Sequence, residues 1–320
     1  MQDSNVSAAV SPGMVGDTSE GPPQSALTRL SPLLRRVIAD NRSPFTFTGT
    51  CSYIVGEGKV AIVDPGPADH PAHLAALLDA VRGESVSHIV VTHTHRDHSP
   101  AARALKAATG APIVGCGPHR PARERSMAVQ GGLDSGGDRD HHPDLVMQEG
   151  DIVTGPGWTL SAIATPGHTA NHLAFALPQE NALLSGDHVM AWSTTIVAPP
   201  DGAMSDYMAS LHKLARRSEP LYLSGHGMPI KEAPRFVQHL IRHRQAREAS
   251  ILHRLRKGAA DIPTIVKAVY IGLDPRLVGA AGLSVLAHME DLVARGVVAT
   301  DGPPSIAGTY RLAVPGLGGG

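Results

Sequence analysis

Four metal-capable side chains crowd into six residues of this chain: His93, His95, Asp97 and His98, in the run Thr92-His93-Thr94-His95-Arg96-Asp97-His98. They follow the apolar stretch His88-Ile89-Val90-Val91, which predicts a strand whose C-terminal end turns and sends the imidazoles and the carboxylate toward one point. Neutral imidazole and ionised carboxylate are the donors preferred by zinc and other borderline divalent ions. With 18 histidines in 320 residues, a single His-x-His would carry little weight. Three more candidates lie downstream, each after an apolar segment and among small residues: His168 in Thr165-Pro166-Gly167-His168, Asp187 in Leu184-Ser185-Gly186-Asp187, and His226 in Leu223-Ser224-Gly225-His226. Small residues allow the tight turn that presents a donor at a strand end. Five histidines and two aspartates are enough for two ions sharing one bridging carboxylate.

The order His-x-His-x-Asp-His, then His, Asp and His, resembles the metallo-β-lactamase-fold hydrolase superfamily over about residues 45 to 230. The resemblance implies that His93, His95 and His168 hold one ion, that Asp97, His98 and His226 hold the other, and that Asp187 bridges them. It implies two divalent ions, Zn2+ foremost, whose charge brings the pKa of a shared water toward neutrality and polarises the carbonyl or phosphoryl oxygen under attack. No serine or cysteine nucleophile is then required, and Cys51 and Cys116 lie outside the motif. Asp97 is also the candidate catalytic residue, orienting the nucleophile or accepting its proton. Asp64 ends Val60-Ala61-Ile62-Val63-Asp64, and similar proteins use an acid here to hold ligand histidines from behind; a turn acid before Pro65-Gly66 is the plainer alternative. His172 is a second candidate for that outer ring. For both His172 and His188, a satisfied core or rim histidine is the simpler reading. His141 and His142, in a polar stretch from Asp138, read as solvated loop rather than a third metal site.

Composition bounds the rest. At 42% hydrophobic the chain can bury a large core, and its length predicts two domains. A net charge of -1 gives no global pull toward nucleic acid or membrane, and 3% aromatics means a core of Ala, Val, Leu and Ile. Two cysteines make no disulfide framework, so both thiols are expected to be inert core groups in a cytoplasmic protein. Residues 1–25 lack the basic start and apolar centre of an export leader and read as a disordered tail, as does the Gly-rich end after Pro315. No run is expected to approach a membrane span.

Apolar runs predict strands at about 51–55, 59–64, 88–92, 112–115, 159–164, 172–177, 181–185 and 221–224. Helical spacing predicts helices over 71–81, 100–108 and 205–217. A strand, acid, helix, strand, histidine order occurs twice, from Asp64 to His93 and from Asp187 to His226. Periodicity thus indicates an α/β fold in two halves, and the superfamily resemblance sharpens it to a four-layer αββα sandwich over residues 26–230. The segment 117–150, polar and without periodicity, is read either as a loop over the site, with Arg120, Arg123 and Arg125 meeting an anionic substrate, or as a solvated insertion.

Residues 231–320 change character. A long helical pattern over 231–257 carries eight basic residues against Glu232 and Glu248. It is followed by helix-like stretches at 264–270 and 280–295 and by strand candidates at 297–300 and 309–313, which together suggest a small winged-helix domain. This combination resembles the beta-lactamase-like protein 2 group within the superfamily, the likeness running through Asp206-Tyr207-Met208, Gly225-His226-Gly227, Val269-Tyr270 and the helix carrying His288. The resemblance implies a hydrolase of a small ester, thioester or related acyl substrate. The alternative is a single-stranded RNA endoribonuclease at the same metal site, with the basic helix guiding the phosphodiesters. The stretch at the expected recognition position, Gly282 to Arg295, contains Glu290 and Asp291 and few bases, so a scaffold or lid is favoured over sequence-specific DNA binding. True β-lactamase activity, an iron redox enzyme and a non-catalytic binding protein rank lower. Pairing into a homodimer is expected from family likeness alone.

Overall fold

Parallel strands can neighbour each other only when the chain crosses over between them, and both halves of this protein are built on such crossovers. The computed structural model describes residues 26–123 and 136–313; the expected tails and Arg125 lie outside them. One sheet holds β1 (Thr28–Arg29), β2 (Leu34–Ile38), β3 (Cys51–Val55), β4 (Lys59–Val63), β5 (Ser85–Val91), β6 (Ile113–Gly115) and β7 (Leu145–Val146), side by side in chain order. From β4 onward its strands are parallel, with α1 (Pro71–Ala80) crossing from β4 to β5 and α2 (Ala102–Thr109) from β5 to β6. α2 stops where a glycine can adopt the left-handed conformation, Gly110 at φ 74°.

The other sheet contains β8 (Ile152–Gly155), β9 (Trp158–Ala164), β10 (Leu173–Leu177), β11 (Ala182–Gly186), β12 (Leu221–Ser224) and β13 (Ile230–Lys231), ordered from β13 at one edge to β8 at the other. Its parallel pair, β11 and β12, is joined through α3 (Met204–Leu214). The two-fold echo in the sequence is therefore real in the fold. In each half an acid follows the first strand of a parallel pair and a histidine follows the second.

Side-chain alternation explains the layers. In β10, Leu173, Phe175 and Leu177 join the cluster between the sheets with Leu34, Ile54, Ile62, Ile89, Leu184 and Leu223. Ala174 and Ala176 point the other way, into the cluster with Tyr207, Leu211 and Leu214 of α3. Both faces of the strand are covered, so the run reads as continuously apolar. Fully burying one such aliphatic side chain contributes roughly 1.5–3 kcal/mol, so an aromatic-poor chain can still hold the sandwich with Leu, Ile and Val. The result is the αββα sandwich expected.

β2 was not legible in advance because its sequence, Leu-Arg-Arg-Val-Ile, looks half solvated. Arg35 and Arg36 are nonetheless buried, Arg35 donating to Ala80 O and Gly56 O and Arg36 to Gly227 O.

α4 (Ala233–Leu255) serves two cores. Val237, Leu240 and Ile241 pack with α3, whereas Ile251 and Leu255 pack with the C-terminal elements. Those elements are β14 (Ala260–Asp261), α5 (Ile262–Val269), α6 (Val278–Ala294), β15 (Val298–Thr300) and β16 (Thr309–Leu312), with a three-stranded sheet in the order β14-β16-β15. α5 begins with Asp261 accepting from the Thr264 N–H at 2.9 Å, an N-cap that the sequence Asp-Ile-Pro-Thr supports. This is a winged-helix domain. α6, the helix at the recognition position, is buried from Ala280 to Met289, so it is a core element.

Contrary to the expectation that no run approaches a membrane span, Pro275–Ala294 does reach that mark by length and composition, with 20 residues and a mean hydropathy of 1.4. In the fold 61% of that apolar window is buried inside the protein, which accounts for its composition.

Candidate metal centre

All seven predicted donors converge at the edge where β5, β9, β11 and β12 end. Donor atoms of His93, His95, His168 and Asp187 lie within 4.8 Å of one another, as do those of Asp97, His98 and His226. In the first group His95 Nδ1 is 3.1 Å from His93 Nε2 and 2.9 Å from His168 Nε2. In the second, Asp97 Oδ2 is 3.3 Å from His98 Nε2 and 3.2 Å from His226 Nε2. Asp187 spans both groups, with Oδ1 3.4 Å from His98 Nε2 and Oδ2 3.2 Å from His226 Nε2 and 3.7 Å from His168 Nε2. The turn before His226 needs a residue without a side chain: a Cβ on Gly225 would stand 2.3 Å from Asp187 Oδ1 and 2.6 Å from His98 Cε1.

The outer hydrogen bonds assign the tautomers, and this tests whether the donors suit a cation. His168 Nδ1 meets Ile196 O at 2.7 Å and His226 Nδ1 meets Gly49 O at 3.2 Å. A carbonyl can only accept, so both Nδ1 atoms carry the hydrogen. Asp64 Oδ2 accepts from the Thr92 hydroxyl at 2.8 Å and from His98 Nδ1 at 3.0 Å. The one hydroxyl hydrogen of Thr92 being committed to Asp64, His93 Nδ1, 2.9 Å away, must donate to Thr92 Oγ1. In their neutral forms all four imidazoles therefore present a bare Nε2 to the centre. Lone pairs meeting at about hydrogen-bond distance with no hydrogen between them repel, and a cation is what such a set fits.

Asp64 could also be counted with His93 and His98 as a third donor group. Its Oδ1 accepts from Thr92 N–H at 2.8 Å and its Oδ2 from two donors, so its oxygens are already occupied in orienting donors. His172 has a comparable place. Its Nε2 accepts from Asp187 N–H at 3.2 Å, and its Nδ1 donates to Thr165 Oγ1 at 2.8 Å.

Charge divides the two groups. Burial holds the His93 pKa well below the usual imidazole value and brings His95 to about 3, with neighbouring imidazoles pushing the same way. These rings stay neutral, as donors to a metal must. Burial also pushes down on His98 and His226, but Asp97 and Asp187 overcome it, lifting His98 well above its usual value and His226 to about 10. In turn, His98 and His226 hold both carboxyl groups well below the usual carboxylate range despite burial.

Several expected residues behave otherwise. His141 is not solvated: it is 2% exposed and bonds Cys116 O through Nε2 at 3.2 Å, whereas His142 is exposed as expected. Its neighbour Asp138 accepts from the Ser99 hydroxyl at 2.7 Å, so residues 136–141 brace the histidine loop from beneath. His188 is fully buried but not satisfied, neither ring nitrogen having a hydrogen-bond partner among the described residues. Arg120 donates to Ala170 O at 3.0 Å, and Arg123 donates to Ser205 Oγ at 3.0 Å and faces Glu290, so both are tied to the protein. Cys51 and Cys116 are buried free thiols, as expected.

An aromatic rim was missed. Phe47 and Trp192 stack with centroids 5.1 Å apart and planes 10° apart. They flank Gly227, next to His226, where an added Cβ would stand 3.2 Å from Trp192 and 3.6 Å from Phe47. Phe45 and Met228, both exposed, lie beside them in sequence. The available signal was compositional: a chain with only four Phe and two Trp places two Phe and one Trp in these site-flanking loops.

A two-sheet sandwich with helices outside and a histidine–aspartate cluster at its edge defines a metallo-hydrolase of the αββα class. The chain belongs to the metallo-beta-lactamase superfamily, whose sequence model matches residues 45–226; residues 262–303 match the beta-lactamase associated winged helix domain. It is 31% identical over 238 residues to the beta-lactamase-like protein 2 homolog of Caenorhabditis elegans, covering 72% of this chain and 74% of that one. It is 26% identical over 264 residues to an atrochrysone carboxyl ACP thioesterase of Pseudocercospora fijiensis, covering 80% and 72%. Among solved structures, a metallo-beta-lactamase family protein from Thermus thermophilus superposes with a TM-score of 0.71 at 25% identity, over 89% of this chain and all of that one.

Proposed function

We propose that this chain hydrolyses thioesters or esters of apolar acyl groups and holds two divalent ions, zinc by the chemistry of its donors. The observation that carries the reading is Asp187, one carboxylate within 3.7 Å of imidazoles from both donor groups. His93, His95 and His168 would hold one ion, Asp97, His98 and His226 the other, with Asp187 between them. When bound, the ions lower the pKa of a coordinated water and polarise the carbonyl to be attacked.

The chain's own groups do the remainder. Asp64, Thr92, Ile196 and Gly49 hold the imidazoles in register. Asp97 is the most accessible of the three carboxylates, its side chain 25% exposed against 8% for Asp187 and 3% for Asp64, which leaves it the one best placed to orient the attacking nucleophile. Phe47 and Trp192 offer an apolar wall beside His226 for the acyl portion. The name of the Pseudocercospora relative supports a thioester as the first class to try. RNA guidance has less behind it, because Arg244 and Arg247 of the basic helix turn inward onto Thr195 O and Val269 O.

The test is turnover by zinc-loaded protein of a panel of acyl thioesters and esters beside a single-stranded RNA, with Asp187→Asn as the control for contaminating enzymes. Thioester cleavage that disappears in the variant is the expected result. Metal-dependent RNA cutting without acyl hydrolysis would overturn it.

A further inference from the structure

We propose that Arg244, on α4 outside the two-sheet sandwich, is a positioning residue for the metal centre, acting through the loop between β11 and α3. That loop does two things at the site. It begins with Asp187, and further along it supplies the Ile196 carbonyl that accepts from His168 Nδ1 at 2.7 Å. Thr195, midway along the loop, ties back to its start, because the Thr195 hydroxyl faces Asp187 O at 2.7 Å and His188 O at 3.1 Å. The Arg244 guanidinium donates through Nη2 to Thr195 O. It thus grips the peptide unit joining the residue that holds Asp187 to the residue that orients His168.

The cost of placing Arg244 there argues against an incidental contact. It is 3% exposed, and among the described residues its Nε has no hydrogen-bond partner and no carboxylate lies at ion-pair distance. Burying a guanidinium without a carboxylate is unfavourable unless other groups replace water. Here the replacements are the Thr195 carbonyl and the face of Tyr207, whose centroid is 5.1 Å from Arg244 Cζ. Tyr207 belongs to the same network, its hydroxyl donating to His188 O at 3.2 Å.

One helical turn further, Arg247 repeats the arrangement in the other direction. It donates to Val269 O at 2.7 Å and lies 4.0 Å from the centroid of Tyr270, at the end of α5. α4 is therefore a bar with one arginine on the metal-site loop and the next on the winged-helix domain. The C-terminal region completes the site from behind by fixing the loop that carries one donor and orients another.

The inference rests on the metal-binding part of the proposed function, and ion affinity tests it without recourse to turnover. Zn2+ bound per chain is measured against a chelator series for wild type, Arg244→Met, Arg244→Lys and Thr195→Val, with the absorption bands of the Co2+-loaded proteins and the circular dichroism of the ion-free forms. Loss of an outer partner typically weakens metal binding 10- to 100-fold. At one further remove, Arg244→Met is expected to weaken it about tenfold and shift the Co2+ bands, with Arg244→Lys recovering part of the loss. Should Arg244→Met fail to fold, Thr195→Val leaves the Arg244 bond to the Thr195 carbonyl in place, removes the next link, the hydroxyl on Asp187 O and His188 O, and is expected to show a similar loss. A folded Arg244→Met or Thr195→Val that binds Zn2+ as tightly as wild type, with unchanged Co2+ bands, would overturn the inference alone. A wild-type protein that takes up no ion would overturn the metal-site reading with it.

Discussion

On the two-ion reading proposed above, Asp64→Asn should weaken the binding of one ion more than the other. The substitution keeps the size of the side chain and changes only which of its atoms can accept. Asp64 Oδ1 takes the Thr92 N–H at 2.8 Å, and Oδ2 takes both the Thr92 hydroxyl at 2.8 Å and His98 Nδ1 at 3.0 Å. If the amide oxygen of Asn stays on Thr92 N–H, its NH2 group faces two donors. The Thr92 hydroxyl can turn its hydrogen away and accept from both the Asn NH2 and His93 Nδ1, so that contact adapts. His98 can relieve the clash only by moving its hydrogen to Nε2, the nitrogen that faces Asp97, Asp187 and His226. An imidazole protonated there cannot bind a cation. The loss of an orienting partner corresponds to about 10- to 100-fold in metal affinity, or about 1.4–2.8 kcal/mol. It should fall on the group of Asp97, His98 and His226 more than on that of His93, His95 and His168. Zinc titration calorimetry, with metal content measured after dialysis, is expected to find one tight equivalent and one weakened. Two equivalents bound with wild-type affinity would refute the assignment of Asp64 as the group that orients His98.

Gly225→Ala introduces no backbone strain at a positive φ, yet its Cβ would stand 2.3 Å from Asp187 Oδ1. Metal content should fall sharply while circular dichroism stays close to wild type; full occupancy would show that the turn yields. His288, facing Arg244, Arg247 and His243 of α4 and Arg295 of its own helix, has its pKa lowered from 6.5 to about 3 by burial. The unfolded state then binds the proton first, so stability from this group is complete above about pH 6.5 and is lost as pH falls toward 3. The stability measured by urea unfolding at pH 6.5 and pH 5 should differ by about 1.6 kcal/mol more in wild type than in His288→Leu; equal differences would refute it. Removing the rim, in Phe47→Ala or Trp192→Ala, is expected to raise KM for long apolar thioesters several-fold and leave short ones nearly unchanged. A uniform loss across chain lengths would place the acyl group elsewhere.

The donors and the plan of the scaffold were legible in the chain alone. His93 to His98, His168, Asp187 and His226 stand out because a metal site needs particular atoms, and strand ends marked by apolar runs and small residues advertise where those atoms are presented. The crossover pairs, α4 and α6 could be read for the same reason: periodicity along a segment reports which of its faces will be buried. The partners came only with the packing, since periodicity says nothing about what a buried face meets. Arg35 and Arg36 look solvated until the carbonyls of Ala80, Gly56 and Gly227 are brought to them. His141 looks like loop until Cys116 O reaches it. Arg244 reads as one positive charge among eight on a basic helix, and its inward turn exists only because α3 and the Thr195 loop close over it. Hydrogen bonds between residues tens of positions apart depend on angles and distances that no local pattern encodes. For that reason the candidate donors could be named from their types, their spacing and the family resemblance, whereas most of the contacts that orient them appeared only with the fold.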